Sequence, residues 1–305
     1  MKYFLYWGCS LEGTGANFLV SLKPACEALG MEFEEIEDWN CCGASVSYAG
    51  ANDLAIKVLN ARNLALAEAH AKYDIVAPCS SCYIQMVKVN HEIQEDPELL
   101  KQVNECLAEG GLNYKGTIKV RHIQDVLYND IGVDRIQKRV TKPLKGLKVA
   151  GYVGCQSVRP YGEYDSVNKP VVQDRLLEAL GAEAVPFPKK IRCCGSGIFL
   201  PEIDYCMKLV KDILEDALNH GANLISTVCP MCAMNLEMYQ GRINDAYGTD
   251  FDVPIVYLTQ LMAVAFGMDW KMDAALNYNV IPPEGVLQAA IGHGKFVLTE
   301  SCSGD

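Results

Sequence analysis

Ten of the 14 cysteines in this 305-residue chain fall into two sets with the same internal order. The first set is Cys9, the doublet Cys41-Cys42 followed by Gly43, and the ends of Cys79-Ser80-Ser81-Cys82. The second is Cys155, the doublet Cys193-Cys194 followed by Gly195, and the ends of Cys229-Pro230-Met231-Cys232. The gaps are 31 and 36 residues in the first set and 37 and 34 in the second. Thiolates are soft ligands that suit iron–sulfur clusters, zinc and copper(I). A C-x-x-C at a helix start places two thiolates on one site, where the helix N-terminus stabilises their charge and donates backbone N–H groups. A glycine after each doublet fits a tight turn, where a bulky neighbour would hinder the approach of an inorganic group. Structural zinc takes four ligands, whereas each set offers five, which suits a unit with several irons. Three alternatives stand beside it: structural zinc on four ligands of each set, dithiol redox chemistry of the C-x-x-C pairs alone, and buried structural thiols. Dithiol chemistry leaves the doublets unexplained, and coincidence does not repeat five positions.

The surroundings of the cysteines repeat as well. Lys2–Cys9 matches Lys148–Cys155, Ala28–Glu32 matches Ala179–Glu183, and Tyr73–Cys79 matches Asn223–Cys229. Arg121–Asp134 matches Val256–Asp269 more loosely. The chain therefore reads as a tandem duplication, with a first domain over 1–141, a second over 142–270 and a tail over 271–305. The joint lies near Thr141–Gly146, where Pro143 and Gly146 mark a linker. In each copy strands and helices alternate. Strands are expected at Tyr3–Trp7 and Lys148–Val153, then at Glu32–Ile36 and Glu183–Phe187; helices at Gly15–Leu29 and Lys169–Leu180, then at Asn52–Ala71 and Ile203–His220. A further strand ends at each C-x-x-C. The fold class is thus α/β, as two similar lobes, each with a small parallel sheet flanked by helices. Ligands in such sheets sit at the carboxyl ends of strands, where Cys9, Cys79, Cys155 and Cys229 are placed.

Composition narrows the function. Half the residues are hydrophobic, so a sizeable core is available. A net charge of −11 argues against nucleic acid or an anionic membrane as the main partner. No apolar run approaches the about 18 residues of a membrane span, and the first residues lack a signal-peptide pattern. A soluble, cytoplasmic protein is expected, where reducing conditions disfavour disulfides. The remaining cysteines are Cys26, Cys106, Cys206 and Cys302. The first three sit in helical patterns without a partner in the other copy and are expected to be small core hydrophobes.

Each set matches the motif C-x(31–39)-C-C-G-x(about 35)-C-x-x-C, and in this the chain resembles the tandem CCG-domain family typified by the B subunit of the heterodisulfide reductase of methanogenic archaea. CCG domains also resemble parts of hydroxyacid-oxidising and of succinate dehydrogenase or thiol:fumarate reductase complexes. The resemblance implies one noncubane [4Fe-4S] cluster per set, held by Cys9, Cys41, Cys42, Cys79 and Cys82, and by Cys155, Cys193, Cys194, Cys229 and Cys232. It implies reduction of the mixed disulfide of coenzyme M and coenzyme B to two thiols, in one-electron steps, in methanogenesis. The implied partners within the heterodisulfide reductase are a small ferredoxin-like subunit, which docks beside one cluster, plus a flavin-bearing subunit further out, with a hydrogenase or formate dehydrogenase beyond them. The other class of function is an electron relay in a quinone- or hydroxyacid-linked complex. His122 and His293 are candidate proton donors, although a lone histidine is more often structural. Arg159, Lys189, Lys190 and Arg192 are candidate contacts for an anionic substrate. The first copy has Glu37-Asp38-Trp39-Asn40 where the second has Lys189–Arg192, so the lobes differ in charge.

Overall fold

The computed structural model describes residues 1–48, 50–70 and 72–291. His293, Cys302 and the end of the tail therefore lie outside the described residues. Eight short strands form two four-stranded parallel sheets. In the first lobe they are β1 (Lys2–Leu5), β2 (Glu32–Glu35), β3 (Ile75–Ala77) and β4 (Val120–His122), in spatial order β2-β1-β3-β4. In the second they are β5 (Lys148–Gly151), β6 (Glu183–Ala184), β7 (Leu224–Thr227) and β8 (Ile255–Tyr257), in the order β6-β5-β7-β8. The duplication and the α/β class hold strand for strand. The central strands β3 and β7 are buried along their whole length, which is why they read as short runs without alternation.

In this strand order the chain leaves β1 toward one edge of the sheet and returns past it to β3. The crevice at that reversal is where such sheets bind ligands. Cys9 follows β1 and Cys79 follows β3, so both border the crevice; Cys155 and Cys229 do the same after β5 and β7. Cys79 and Cys229 are the N-caps of the helices Ser80–Glu95 and Pro230–Met238.

The lobes pack with an approximate twofold relation. The helix Leu258–Ala265 of the second lobe lies against Ala16–Glu27 of the first. Reciprocally, the segment 123–131 of the first lobe lies against Val172–Ala179 of the second. At the first contact the rings of Phe18 and Tyr257 stack 4.4 Å apart at 6°, and the Ser21 and Thr259 hydroxyls are 2.7 Å apart. Exchange of like elements across one seam is what a duplicated chain inherits from a symmetric dimer interface.

Some expectations change in detail. The second strand of the second copy ends at Ala184, and the helix after Cys155 begins at Val172 rather than Lys169. Cys155 and that helix are separated by a longer loop than Cys9 and Ala16, and the loop reaches over the first lobe. There Tyr161 stacks on His91 at 4.2 Å, and Tyr164 stacks on His122 at 5.5 Å. Cys26 and Cys206 are fully buried, but Cys106 is exposed: its helix, Pro97–Ala108, turns Val103 and Leu107 inward and leaves Cys106 at the margin of that stripe.

Candidate metal centres

Each lobe gathers its own five cysteines. In the first, Cys9 Sγ lies 3.4 Å from Cys41 Sγ, and Cys42 Sγ lies 3.4 Å from Cys82 Sγ. In the second, Cys194 Sγ lies 3.5 Å from Cys232 Sγ, and Cys155 pairs with Cys193. The nests are deep on one side and open on the other. Cys42, Cys79, Cys82, Cys194, Cys229 and Cys232 are buried, whereas Cys9, Cys41 and Cys193 are exposed.

The doublets turn as a thiolate site requires. Gly43 and Gly195 have φ of 72° and 83°, a left-handed conformation that suits glycine. Their N–H groups donate to Cys41 Sγ at 3.4 Å and Cys193 Sγ at 3.3 Å. The Cys42 and Cys9 thiols, and then the Gly43 N–H, hold Cys41 down to about 2. Cys155 and the Gly195 N–H lower Cys193 to about 6. Cys9, Cys82, Cys155 and Cys232 are pushed the other way by thiol neighbours and burial. Five thiols in one nest cannot all ionise without a countercharge. The exposed thiol of each doublet, Cys41 or Cys193, is the one its neighbours favour as a thiolate, and Cys229 is lowered too by its contacts with Cys232 and Cys79.

The donor set fits a polynuclear iron–sulfur group. In the first lobe the five thiols follow one another in contact, Cys9 to Cys41, Cys42, Cys82 and Cys79, and in the second all five line one cavity. The backbone leaves room for such a group. A Cβ on Gly8 would stand 2.8 Å from Cys82 Sγ, and one on Gly154 would stand 3.4 Å from Cys232 Sγ.

Several supporting residues escape a sequence reading. Tyr6 donates from its hydroxyl to the Asn40 carbonyl at 2.7 Å, and Tyr152 to the Arg192 carbonyl at 2.5 Å. Each tyrosine thus ties a central strand to the residue just before a doublet. The signal was present: both stand three residues before the first cysteine of their set. Asn60 Nδ2 donates to the Cys42 carbonyl at 2.9 Å, and Asn235 Nδ2 to the Cys194 carbonyl at 3.0 Å. These two come from non-equivalent helices, so no repeat pattern would reveal them. Cys206, a buried core residue as expected, also points its thiol at the Cys194 carbonyl from 3.5 Å.

The two C-x-x-C turns cross the seam. Ser80 lines a cavity of about 300 Å³ in the second lobe together with Cys155, Cys193, Cys194, Cys229 and Cys232. Ser81 Oγ lies 3.9 Å from Cys229 Sγ. In the other direction, Pro230 meets the first lobe so closely that a Cβ on Gly15 would stand 2.9 Å from its Cβ. Cys79 and Cys229 are themselves in hydrogen-bond contact. The second nest is therefore walled in part by a spacer residue of the first lobe, while Pro230 packs on Gly15 of the first.

His122 is fully buried, and burial lowers it to about 4, so it is neutral near pH 7. Its Nδ1 accepts from the Gln124 N–H at 3.3 Å, which leaves the proton on Nε2. From there a directed chain runs to Ser80 Oγ at 3.2 Å, to Ser157 Oγ at 2.7 Å and to the Val153 carbonyl at 2.7 Å. Of the basic candidates, Lys190 pairs with Asp174, and Lys189 Nζ donates to the Asp212 carbonyl at 3.1 Å. Arg159 is exposed and donates from Nε to the Val167 carbonyl at 3.1 Å. Arg192 is exposed beside Cys193 and favours its thiolate.

The CCG cysteine-rich domain profile matches twice, over residues 3–87 and 149–237. The chain is 34% identical to the 8-methylmenaquinol:fumarate reductase membrane anchor of Wolinella succinogenes, over 92% of this chain and 97% of that one. It is 34% identical to a protein of Archaeoglobus profundus named as like the heterodisulfide reductase B subunit, over 90% and 94%. It is 30% identical to the B subunit of a ferredoxin/F420H2-dependent CoB-CoM heterodisulfide reductase of Methanosarcina acetivorans, over 87% and 89%. Among solved structures, a hypothetical protein from Helicobacter pylori shares the fold with a TM-score of 0.74 at 15% identity; the match covers 92% of this chain and 52% of that one. Among the described residues no helix is long and apolar enough to cross a membrane.

Proposed function

Since the chain belongs to the CCG cysteine-rich domain family, in its two-copy form, we propose that it is the catalytic iron–sulfur subunit of a heterodisulfide reductase-type complex. In this reading each nest holds one noncubane [4Fe-4S] cluster, through Cys9, Cys41, Cys42, Cys79 and Cys82 and through Cys155, Cys193, Cys194, Cys229 and Cys232. The substrate is the mixed disulfide of coenzyme M and coenzyme B. The observation that carries the reading is the pair of five-thiol nests meeting at one seam, with Cys79 in contact with Cys229. When bound, two one-electron centres supply the two electrons that a disulfide needs.

The chain's own residues do the rest. The glycine N–H groups and Tyr6 and Tyr152 hold the doublets in place. Arg192, exposed beside Cys193, offers charge to an anionic substrate, with Arg159 on the loop that follows Cys155. His122, neutral and buried, donates from Nε2 to Ser80 and so holds in place a hydroxyl that lines the cavity. Electrons reach the chain in the cytoplasm from a ferredoxin-like partner, which takes them in turn from a flavin-bearing one; the relatives from Methanosarcina are likewise named as parts of a larger reductase.

A second reading has its own support. The Wolinella relative is named for an 8-methylmenaquinol:fumarate reductase, and, cysteines aside, the cavity has no titratable side chain among its lining residues. On that reading the same centres relay electrons from a quinol. The deciding test is turnover of the mixed disulfide by the anaerobically purified protein with an artificial reductant. Stoichiometric release of two thiols supports the first reading; none, with full cluster content, leaves the relay.

A further inference from the structure

Gln156 directly follows a cysteine of the second nest and lines its cavity. Its side chain is fixed at the tip, and the residue after it is locked in the core. At the tip, the Ser81 hydroxyl donates to Gln156 Oε1 at 2.5 Å. At the base, Ser157 is fully buried and locked between Ser80 and the Val153 carbonyl. An amide whose oxygen is engaged must turn its NH2 group away from Ser81. That Nε2 has no hydrogen-bond partner among the described residues. Ser81 belongs to the first lobe, so one lobe orients a donor for the other lobe's cavity.

The first nest lacks this device. Ser10 stands where Gln156 does and is too short to reach across a seam, and Met231 stands where Ser81 does and cannot donate. The two half-sites are therefore chemically unlike, as recognition of an asymmetric ligand requires.

We propose that Gln156 is a specificity-determining residue, whose Nε2 donates to an acceptor oxygen of the ligand in the second-lobe cavity, with Ser81 as its positioning residue. This deepens the functional reading above and rests on it. The acceptor oxygen has two sources, the sulfonate of the mixed disulfide or a quinone carbonyl, and the test separates them.

The test uses the cluster-loaded protein, purified without oxygen, with its iron content measured for every variant. The probes are the coenzyme M–coenzyme B disulfide and, separately, a water-soluble menaquinone analogue. Binding is read as ligand-dependent change in the electron paramagnetic resonance spectrum, and KM and kcat are measured beside it. Gln156→Met keeps the size of the side chain and removes the donor. It is expected to weaken the recognised probe about tenfold, in Kd and KM more than in kcat, as loss of one hydrogen bond to a strongly polar acceptor does. Ser81→Ala, which frees the amide to rotate, is expected to weaken it about threefold, and Gln156→Glu, which places a carboxylate against the acceptor, more than Gln156→Met. The probe that responds identifies the source of the oxygen. Unchanged Kd in Gln156→Met for a probe that binds the native protein overturns the assignment and leaves the functional reading standing. A native protein with full iron that responds to neither probe overturns both.

Discussion

The Tyr6 hydroxyl donates to the Asn40 carbonyl across 2.7 Å and so fastens the end of β1 to the turn that carries Cys41 and Cys42. Tyr152 and Arg192 repeat the relation in the second lobe. Neither tyrosine is a ligand, yet both set where the ligands stand. Tyr6→Phe removes one of two donors to the Asn40 carbonyl, which keeps Asn63 Nδ2 at 2.8 Å, and is expected to cost about 1 kcal/mol. Denaturant unfolding should show that loss, and chelator-driven iron release should accelerate in the first lobe alone. Equal release from both lobes would mean that the tyrosine acts on general stability rather than on its own doublet.

Such relations mark how far the chain could be read from its residues. The ten cysteines declare themselves because the pattern occurs twice, and the parallel sheets follow from strand–helix alternation. Lys189 and Lys190 read as a basic cluster because Asp174 and Asp212, which engage them, lie about a helix away in sequence. Cys106 reads as a core residue because helical periodicity alone does not say how wide the buried stripe is. The crossed spacers, Ser80-Ser81 toward the second nest and Pro230 against Gly15 of the first lobe, depend on how the lobes dock. No local pattern encodes that.

The doublets supply the sharpest mutational contrast. Cys42→Ala and Cys194→Ala should each lower the iron content by about half and nearly abolish two-electron turnover, because each removes a buried thiol from one nest. Cys106→Ala changes an exposed residue outside both sets and should leave iron and turnover as they are. Full turnover in either doublet variant would separate the two centres functionally.

The seam itself can be weakened at Phe18, which is fully buried and stacks on Tyr257. Phe18→Ala should cost about 3–5 kcal/mol, from lost burial and the cavity left behind. If the lobes work as one unit, calorimetry should show a single transition at lower temperature, with disulfide turnover falling alongside it.

Glu237 gives the fold a pH dependence with a definite sign. Burial pushes its carboxyl up to about 7, although the Ile281 N–H donates to it at 3.1 Å. A raised folded-state value means that the native state holds the proton more tightly than the unfolded chain does. Its contribution is complete below about 4.5 and is lost as pH rises toward 7, on the order of 3 kcal/mol in all. Glu237→Gln should remove that slope, so the stability difference between variant and native protein grows from pH 5 to pH 7.5 in favour of the variant. A constant difference across that range would place the Glu237 titration elsewhere.

The central claim is that each five-cysteine nest holds a polynuclear iron–sulfur group, and metal analysis meets it most directly. The protein, expressed with adequate iron and purified without oxygen, should carry about eight irons and a similar amount of acid-labile sulfide per chain, both lost on exposure to air. About two zincs per chain, with little iron and no sulfide, would contradict the account.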